Sequence, residues 1–164
     1  MKLNYIGIIG SILALFSIAL PWWTLSINLL EIITSSTNLY LYQISGTFGT
    51  VALNTSDSWF CWVALAFVII GGILGIIGSV TGYGDKMLIG GGVFTLLSII
   101  IFAAGLQMWL SSSGGVIHIF TNTMGYSSYL SYGFWIALVA MILMFVAVTI
   151  KPQEKAAQPS PTQS

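Results

Sequence analysis

Residues 58–86 read SWFCWVALAFVIIGGILGIIGSVTGYGDK, and no charged residue precedes Asp85 in this stretch. An α-helix rises about 1.5 Å per residue, so about 20 residues cross the hydrocarbon core of a bilayer. The stretch is therefore long enough to span a membrane as one helix. Trp59 and Trp62 lie at its start and Lys86 follows its end, and the same asymmetry recurs along the chain.

Two other stretches complete the pattern of spans. Residues 3–30 carry no charge, and residues 87–150 contain no acidic or basic residue except His118. The longer stretch has room for two crossings and a connector at residues 111–132, which is rich in Ser, Gly, Thr, Asn and Tyr. The sequence therefore predicts four transmembrane helices in one domain over residues 1–150, at about residues 5–23, 59–80, 87–110 and 133–150.

The composition favours a membrane protein and excludes several other classes. Of the 164 residues, 5% are charged and 57% are hydrophobic, whereas soluble domains carry about 25% charge. A small soluble domain cannot bury so much apolar surface. A nucleic-acid partner would require a basic face, and a disulfide scaffold would require more than the single Cys61.

Lysines and tryptophans sort to opposite ends of the predicted helices. With four crossings, the basic residues share one side of the membrane: Lys2, Lys86, Lys151 and Lys155. The indoles lie at the other side, where they prefer the headgroup layer: Trp22, Trp23, Trp59, Trp62, Trp109 and Trp135. The positive-inside rule then places both termini in the cytoplasm of a multi-pass cell-membrane protein. A cleaved signal peptide ending near Ala19 is the alternative, and it would leave three spans.

The two predicted outer loops, residues 25–57 and 111–132, contain strand-like segments. Alternation and β-branched or aromatic content mark residues 25–34, 39–45, 50–54 and 116–121. Residues 35–38 and the glycines Gly46 and Gly49 are predicted turns. We expect an all-α transmembrane four-helix bundle capped by one small extracellular β-sheet from both loops, with irregular loops as the alternative.

Two polar segments lie outside the predicted helices and strands. Asn54-Thr55-Ser56 is an N-glycosylation sequon in the first outer loop, so Asn54 is a candidate glycosylation site. Residues 151–164 contain three of the four prolines together with Gln, Ser and Thr. Such a segment cannot bury a core, and we expect a disordered cytoplasmic tail.

Small residues recur on one face of the second predicted span. Gly71 and Gly75 form a GxxxG step, and Gly78 continues the same face. Such patterns let helix backbones approach closely in lipid. They serve either a dimer face or contacts among the four helices of one chain.

Residues that could carry chemistry are few. No predicted span has an acidic, basic or histidine residue near its centre, which disfavours a proton-coupled transporter. One histidine and one cysteine, His118 and Cys61, do not complete a four-ligand zinc site. We therefore expect no catalytic residue, metal or cofactor. A redox-linked membrane enzyme subunit is kept as an alternative function.

The segment Val80–Asp85 resembles the potassium-channel selectivity filter T-V-G-Y-G-D. Residues 82–85 match G-Y-G-D, whereas Val80 and Thr81 stand in inverted order. In that family, stacked filter carbonyls replace the water shell of the ion. The resemblance implies an ion channel or pore as an alternative function. The ordinary interpretation is a tight cytoplasmic turn whose glycines adopt positive φ.

The layout of the chain resembles the claudin and peripheral-myelin-protein superfamily. It has a short start, a long first outer loop, a very short inner turn, a shorter second outer loop and a tail. Pro21-Trp22-Trp23 agrees with the Pro-x-Trp that ends the first span of many claudins. The claudin Gly-Leu-Trp and the two loop cysteines are missing here. The resemblance implies four helices beneath a sheet from both outer loops, and assembly through that sheet.

The sequence therefore predicts a non-enzymatic membrane protein that acts in assembly or adhesion, or as an accessory subunit of a membrane complex. Its expected partners are membrane lipid and either further copies of itself or a larger complex, and not nucleic acid. Candidate contact residues are Tyr126, Tyr129 and Tyr132, because tyrosine is enriched in interface cores, together with Glu31. An interfacial aromatic belt is the alternative role of these tyrosines.

Overall fold

The computed structural model describes residues 3–29, 33–47, 49–53, 58–81, 84–112, 118–123 and 125–150. The described helices are α1 (Tyr5–Ser17), α2 (Trp59–Val80), α3 (Gly84–Ser112) and α4 (Tyr132–Thr149). The described strands are β1 (Trp23–Leu29), β2 (Ile33–Leu39), β3 (Gln43–Gly46), β4 (Gly49–Ala52), β5 (Thr121–Thr123) and β6 (Tyr126–Leu130). Helices α2, α3 and α4 are long and apolar enough to cross a membrane.

Helix α1 is shorter than the sequence predicts. It ends at Ser17, and the N–H groups of Ile18, Ala19 and Leu20 donate to carbonyls three residues earlier, which forms a tighter turn. Pro21 accounts for the end, because it has no N–H and disfavours a helical conformation at Leu20. The prediction of a helix through residue 23 is therefore wrong at this end, since the chain enters β1 at Trp23.

The termini of three helices meet at Asn4. Its Oδ1 accepts a hydrogen bond from the Gly7 N–H (3.2 Å) and caps α1, while its Nδ2 donates to the Ala147 carbonyl in α4 (2.7 Å). The Asn4 N–H donates to the Ser79 carbonyl in α2 (3.0 Å). The start of α1 and the ends of α2 and α4 therefore lie together, and α1 packs against both of these helices.

The six strands form one antiparallel sheet at the opposite end of the helices, in the order β4–β3–β2–β1–β6–β5. Strands β1–β4 follow α1 in the chain, and β5–β6 lie between α3 and α4. Pairing of β1 with β6 joins the two segments, with Trp23 opposite Leu130. The prediction of one small antiparallel sheet from both loops is confirmed.

Several details of the strand prediction are wrong. The predicted strands at 25–34 and 39–45 each run past the end of one strand, because β1 ends at Leu29, β2 ends at Leu39 and β3 begins at Gln43. Residues 35–38 lie inside β2 and not in a turn, because β1 pairs with β2 over its whole length and overrides the turn preference of these side chains. Of the predicted strand at 116–121, only Thr121 is found in a strand. Residues 118–120 are not strand, and 116–117 lie outside the described residues. Gly125, just before β6, has φ of 96°, a conformation that favours glycine.

Trp22 joins the sheet to the helices. Its fully buried ring packs edge-to-face against Phe102 of α3 (5.1 Å between centroids) and Phe134 of α4 (6.1 Å). Its Nε1 donates to the Ser17 carbonyl at the end of α1 (2.9 Å). Trp23 is also buried, and its Nε1 donates to the Ile119 carbonyl (3.2 Å). The predicted headgroup position is therefore wrong for these two indoles, because both belong to the buried cluster that joins the helices and the sheet.

Candidate functional site

The strand register places an apolar row on one face of the sheet and polar rows on the other. Successive residues of a strand point to opposite faces, so paired positions form rows across the sheet. The row nearest the helices is apolar and consists of Val51, Ile44, Leu39, Trp23 and Leu130. Leu39 and Trp23 belong to the buried cluster that also contains Phe60 and Phe102. This row therefore attaches the sheet to the helix ends.

Two rows on the other face are polar and uncharged, and we call them the polar rows. The first row consists of Thr50, Ser45, Asn38, Thr24 and Tyr129. The second row consists of Ser36, Ser26, Ser127 and Asn122. No residue of the six described strands is charged. The polar rows therefore offer hydroxyl and amide groups on short side chains and can hydrogen-bond without removing a charge from water.

Hydrogen bonds between strands hold part of this face in place. The buried Thr24 donates from Oγ1 to Oδ1 of Asn38 across β1 and β2 (2.9 Å). The hydroxyl oxygens of Ser45 and Thr50 lie 3.4 Å apart across β3 and β4. These side chains are ordered before any partner binds, which lowers the conformational entropy that binding must remove.

The structure separates the predicted contact tyrosines. Tyr129 lies in the first polar row and is 46% exposed, whereas Tyr126, three positions earlier, points to the other face opposite Ile27. Tyr132 is the first residue of α4 and is 74% exposed. Only Tyr129 therefore belongs to the polar rows. The other two candidates, Glu31 and the sequon residue Asn54, lie outside the described residues.

A partly open apolar cavity lies beneath one side of the sheet. It has a volume of about 240 Å³ and lies between strands β2–β4 and the ends of α2 and α3. Its lining is apolar except for Ser58 and includes Leu39, Ile44, Val51, Leu53, Phe60 and Trp109. The sequence analysis did not identify this cavity, because its lining residues come from the segment between α1 and α2 and from two helices that only the fold brings together.

The predicted small-residue face of α2 lies against other helices of the same chain. A Cβ added to Gly71 would lie 2.6 Å from Oγ1 of Thr95 and 2.8 Å from the Gly91 carbonyl of α3. On Gly91 it would lie 2.7 Å from the Gly71 carbonyl and 3.0 Å from the Gly75 nitrogen. Gly78 is buried as well. In this structure α2 and α3 therefore approach closely enough to leave no space for side chains at these positions.

Polar groups within the helices have hydrogen-bond partners. Thr95 donates to the Gly91 carbonyl of its own helix (2.9 Å), whereas Ser98 donates across to the Ala64 carbonyl of α2 (2.8 Å). Gln107 and His118 lie 3.2 Å apart, from Nε2 to Nδ1, near the end of α3. Of the side chains in the described ranges, no buried nitrogen or oxygen lacks a partner. These contacts account for the polar residues as structural groups.

The residues singled out for catalysis or conduction form no assembled site. Within the described part of the chain, no three His, Cys, Asp or Glu side chains are grouped to hold a metal. Cys61 is buried in α2. For the filter-like segment, α2 ends at Val80 and α3 begins at Gly84, while Gly82 and Tyr83 lie outside the described residues. The channel alternative stays a prediction.

Two important positions were missed from the sequence. Asn4 precedes an apolar run, which is typical of a helix N-cap, but its bond to Ala147 joins residues 143 positions apart. The pairing of Thr24 with Asn38 depends on the register of β1 and β2.

No protein-family model and no curated protein matches this chain.

Proposed function

We propose that this chain is a non-enzymatic four-span membrane protein with both termini in the cytoplasm and the sheet outside. Three helices are long and apolar enough to span a bilayer. Helix α1 with its terminal turn runs from the Asn4–Ala147 contact to the Trp22–Phe134 contact, and so covers most of the length of α4. It forms the fourth span of the proposed bundle.

The surface residues at the two helix ends support this orientation. Lys86 is exposed in the first turn of α3, at the end where Asn4 lies. Trp59 and Trp135, in the first turns of α2 and α4, are 52% and 51% exposed at the sheet end. Lysine favours the cytoplasmic side and exposed indoles favour the headgroup layer. The charge and the indoles therefore agree on which end faces the cytoplasm.

We propose that the polar rows make lateral or cell-to-cell contacts, in self-assembly, in adhesion or within a larger membrane complex. The uncharged polar rows are the observation that carries this proposal. Antibody recognition loops are likewise rich in Tyr, Ser and Asn, where Tyr rings supply contact area and Ser and Asn supply hydrogen bonds, and Tyr129 provides an exposed aromatic ring in the first row. Short side chains such as Ser26 and Ser127 leave the centre of the face accessible to a second surface.

A claudin-like architecture is part of the proposal. It is supported by the sheet built from two chain segments and by Pro21-Trp22 at the end of the first helical segment. This chain lacks the claudin cysteine pair, and the packing of Trp22 and Trp23 joins its sheet to the helices. Under this proposal the chain shares the claudin layout but does not have the claudin disulfide.

The test is the mass of the complex extracted in mild detergent, measured by light scattering after subtraction of the bound detergent. We expect the wild-type protein to be heavier than one chain. Ser26→Arg places an unpaired charge at the centre of the polar rows and should reduce the mass to one chain. Ser112→Arg, at an exposed position at the end of α3, is the matched control and should leave the mass unchanged. A wild-type protein that runs as a single chain would contradict the proposal.

A further inference from the structure

The apolar cavity is built to exclude water-soluble ligands. The apolar row supplies Leu39, Ile44 and Val51 as one wall, and Phe60 and Trp109 supply the opposite wall from α2 and α3. None of the lining residues that the structure describes is charged. A charged or strongly polar occupant would lose its hydration without gaining an ionic partner. Its chemistry therefore complements a hydrocarbon.

The position of the cavity indicates where such a hydrocarbon comes from. Phe60 is the second residue of α2, and Trp109 lies in the last turn of α3, so the cavity is level with these helix ends. Trp59 and Trp62 lie in the same first turn of α2 and are 52% and 38% exposed, so they extend the apolar surface beside the cavity. In the membrane setting proposed above, on which this inference rests, this level borders the headgroups, where indoles prefer to lie. The upper parts of lipid chains surround it.

Size and exposure narrow the occupant further. A volume of about 240 Å³ lies below the roughly 300–1,000 Å³ typical of sites for complete small molecules. Val51, at the edge of the cavity on the outermost strand β4, is left 68% exposed. An alkyl segment in the cavity would cover this side chain and remove more apolar area from water or headgroups. One chain segment fits these observations better than a whole ligand.

We propose that the cavity binds the upper segment of one hydrocarbon chain of a membrane lipid, beneath the β3–β4 side of the sheet. The chain enters from the lipid that surrounds α2 and contacts Phe60 and Trp109. The lipid headgroup stays outside, so the site selects for a hydrocarbon chain and not for a particular headgroup.

The probe for this proposal is a phosphatidylcholine that carries a diazirine near the ester end of one chain, used in phosphatidylcholine vesicles with the full-length protein. After illumination, mass spectrometry of the peptides should show labelling of Phe60 and Trp109. A second probe with the diazirine next to the terminal methyl should label these residues less. Equal labelling by the two probes would overturn the assignment of the upper chain segment.

Filling the cavity provides the decisive variant. Val51→Trp should lower labelling of Phe60 and Trp109 roughly tenfold, the loss expected when about two buried methylene groups are displaced. Ile44→Phe, beside Val51 in the apolar row and on the wall of the same cavity, serves if the first variant misfolds. Val139→Trp, on the exposed surface of α4, is the matched control and should leave the labelling unchanged. Unchanged labelling in both folded filling variants would overturn the proposal.

Flotation of the same vesicles tests the membrane placement separately from the lipid site. We expect the wild type and all variants to float with the vesicles, and labelling of the exposed Trp135 to be equal in all of them. Protein that floats but lacks labelling at the cavity would overturn the lipid site alone. Wild-type protein that does not float would overturn the membrane placement, and the lipid site with it.

Discussion

The two ends of the helices are held together by different chemistry. At one end, Asn4 ties α1 to α2 and α4 through its side chain and its backbone N–H. At the other end, the buried Trp22 ring packs against Phe102 and Phe134. Trp22 also takes part in the sheet, since its N–H donates to the Leu39 carbonyl (2.8 Å) and its carbonyl accepts from the Ser131 N–H (2.9 Å).

This difference explains how the sheet is held relative to the helices. A polar tie at the Asn4 end satisfies backbone groups that the helix termini leave unpaired. The Trp22 side chain buries a large ring against α3 and α4 and bonds the end of α1, while its backbone bonds the end of β2. The polar rows are therefore presented on a rigid support. Substitutions at the two ends, and between them, should therefore lower the free energy of unfolding by different amounts.

Trp22→Ala should have the largest effect. Truncating a fully buried indole leaves a cavity and removes the bond to Ser17, and we expect the free energy of unfolding to fall by about 3–5 kcal/mol. The measurement is an SDS titration of the protein in mild-detergent micelles. Trp135→Ala, at a half-exposed position, is the control and should cost about 1 kcal/mol or less. Equal losses for the two variants would contradict the proposed role of Trp22.

Gly71→Ala should be next in size, because the added methyl group meets the backbone of α3 at the Gly91 carbonyl. The helices must separate, and we expect a loss of about 1–3 kcal/mol in the same titration. The matched control is Gly90→Ala, whose Cβ would have Leu74 Cδ1 at 3.8 Å as its nearest neighbour. Alanine favours the helix there by up to about 1 kcal/mol. If both substitutions destabilise alike, the close approach of α2 and α3 is wrong.

Asn4→Ala tests the polar end. It removes the cap on Gly7 and the bond to Ala147, and we expect a loss of about 1–2 kcal/mol. Asn4→Ser restores a cap but not the long-range bond, and should recover about half of the loss. Full recovery with serine would show that the Asn4 side chain acts only on α1, and no loss in either variant would contradict the side-chain tie between α1 and α4.

Ser98→Ala tests the middle of the helices and should have the smallest effect. It removes the bond to the Ala64 carbonyl, and hydrogen bonds between membrane helices contribute about 0.6 kcal/mol on average. The same titration, with the exposed Ser112→Ala as control, measures the difference. A loss as large as that of Trp22→Ala would mean that the middle of the helices, and not the aromatic end, holds the fold together.

The sequence predicts those features that depend on local pattern. Long uncharged runs predict α2, α3 and α4, and alternation predicts a sheet from both connecting segments. Features that depend on distant partners are not accessible in this way. Residues 35–38 have the composition of a turn, but pairing with β1 makes them strand. Trp22 is of the residue type that anchors helices at the membrane interface, but its ring is buried against Phe102 and Phe134, which are distant from it in the chain.

The candidate site also combines features that the local sequence predicts with features that depend on distant partners. The lack of charge in the strands is visible in the sequence, whereas the polar rows and the cavity follow only from the register. Tyr126 and Tyr129 show the limit most clearly, because the bounds of β6 place them on opposite faces. A pattern of similar residues close together in sequence did not predict a shared surface.

The central claim is that the sheet lies outside the cell and the Asn4 end inside. A membrane-impermeant maleimide applied to intact cells tests it directly, with Ser36→Cys on the exposed sheet and Asp85→Cys at the exposed start of α3. The wild type, with its buried Cys61, measures the background. We expect labelling of the Ser36→Cys variant in intact cells and of the Asp85→Cys variant only after the cells are permeabilised. Labelling of the Asp85→Cys variant in intact cells, with the Ser36→Cys variant protected, would contradict it.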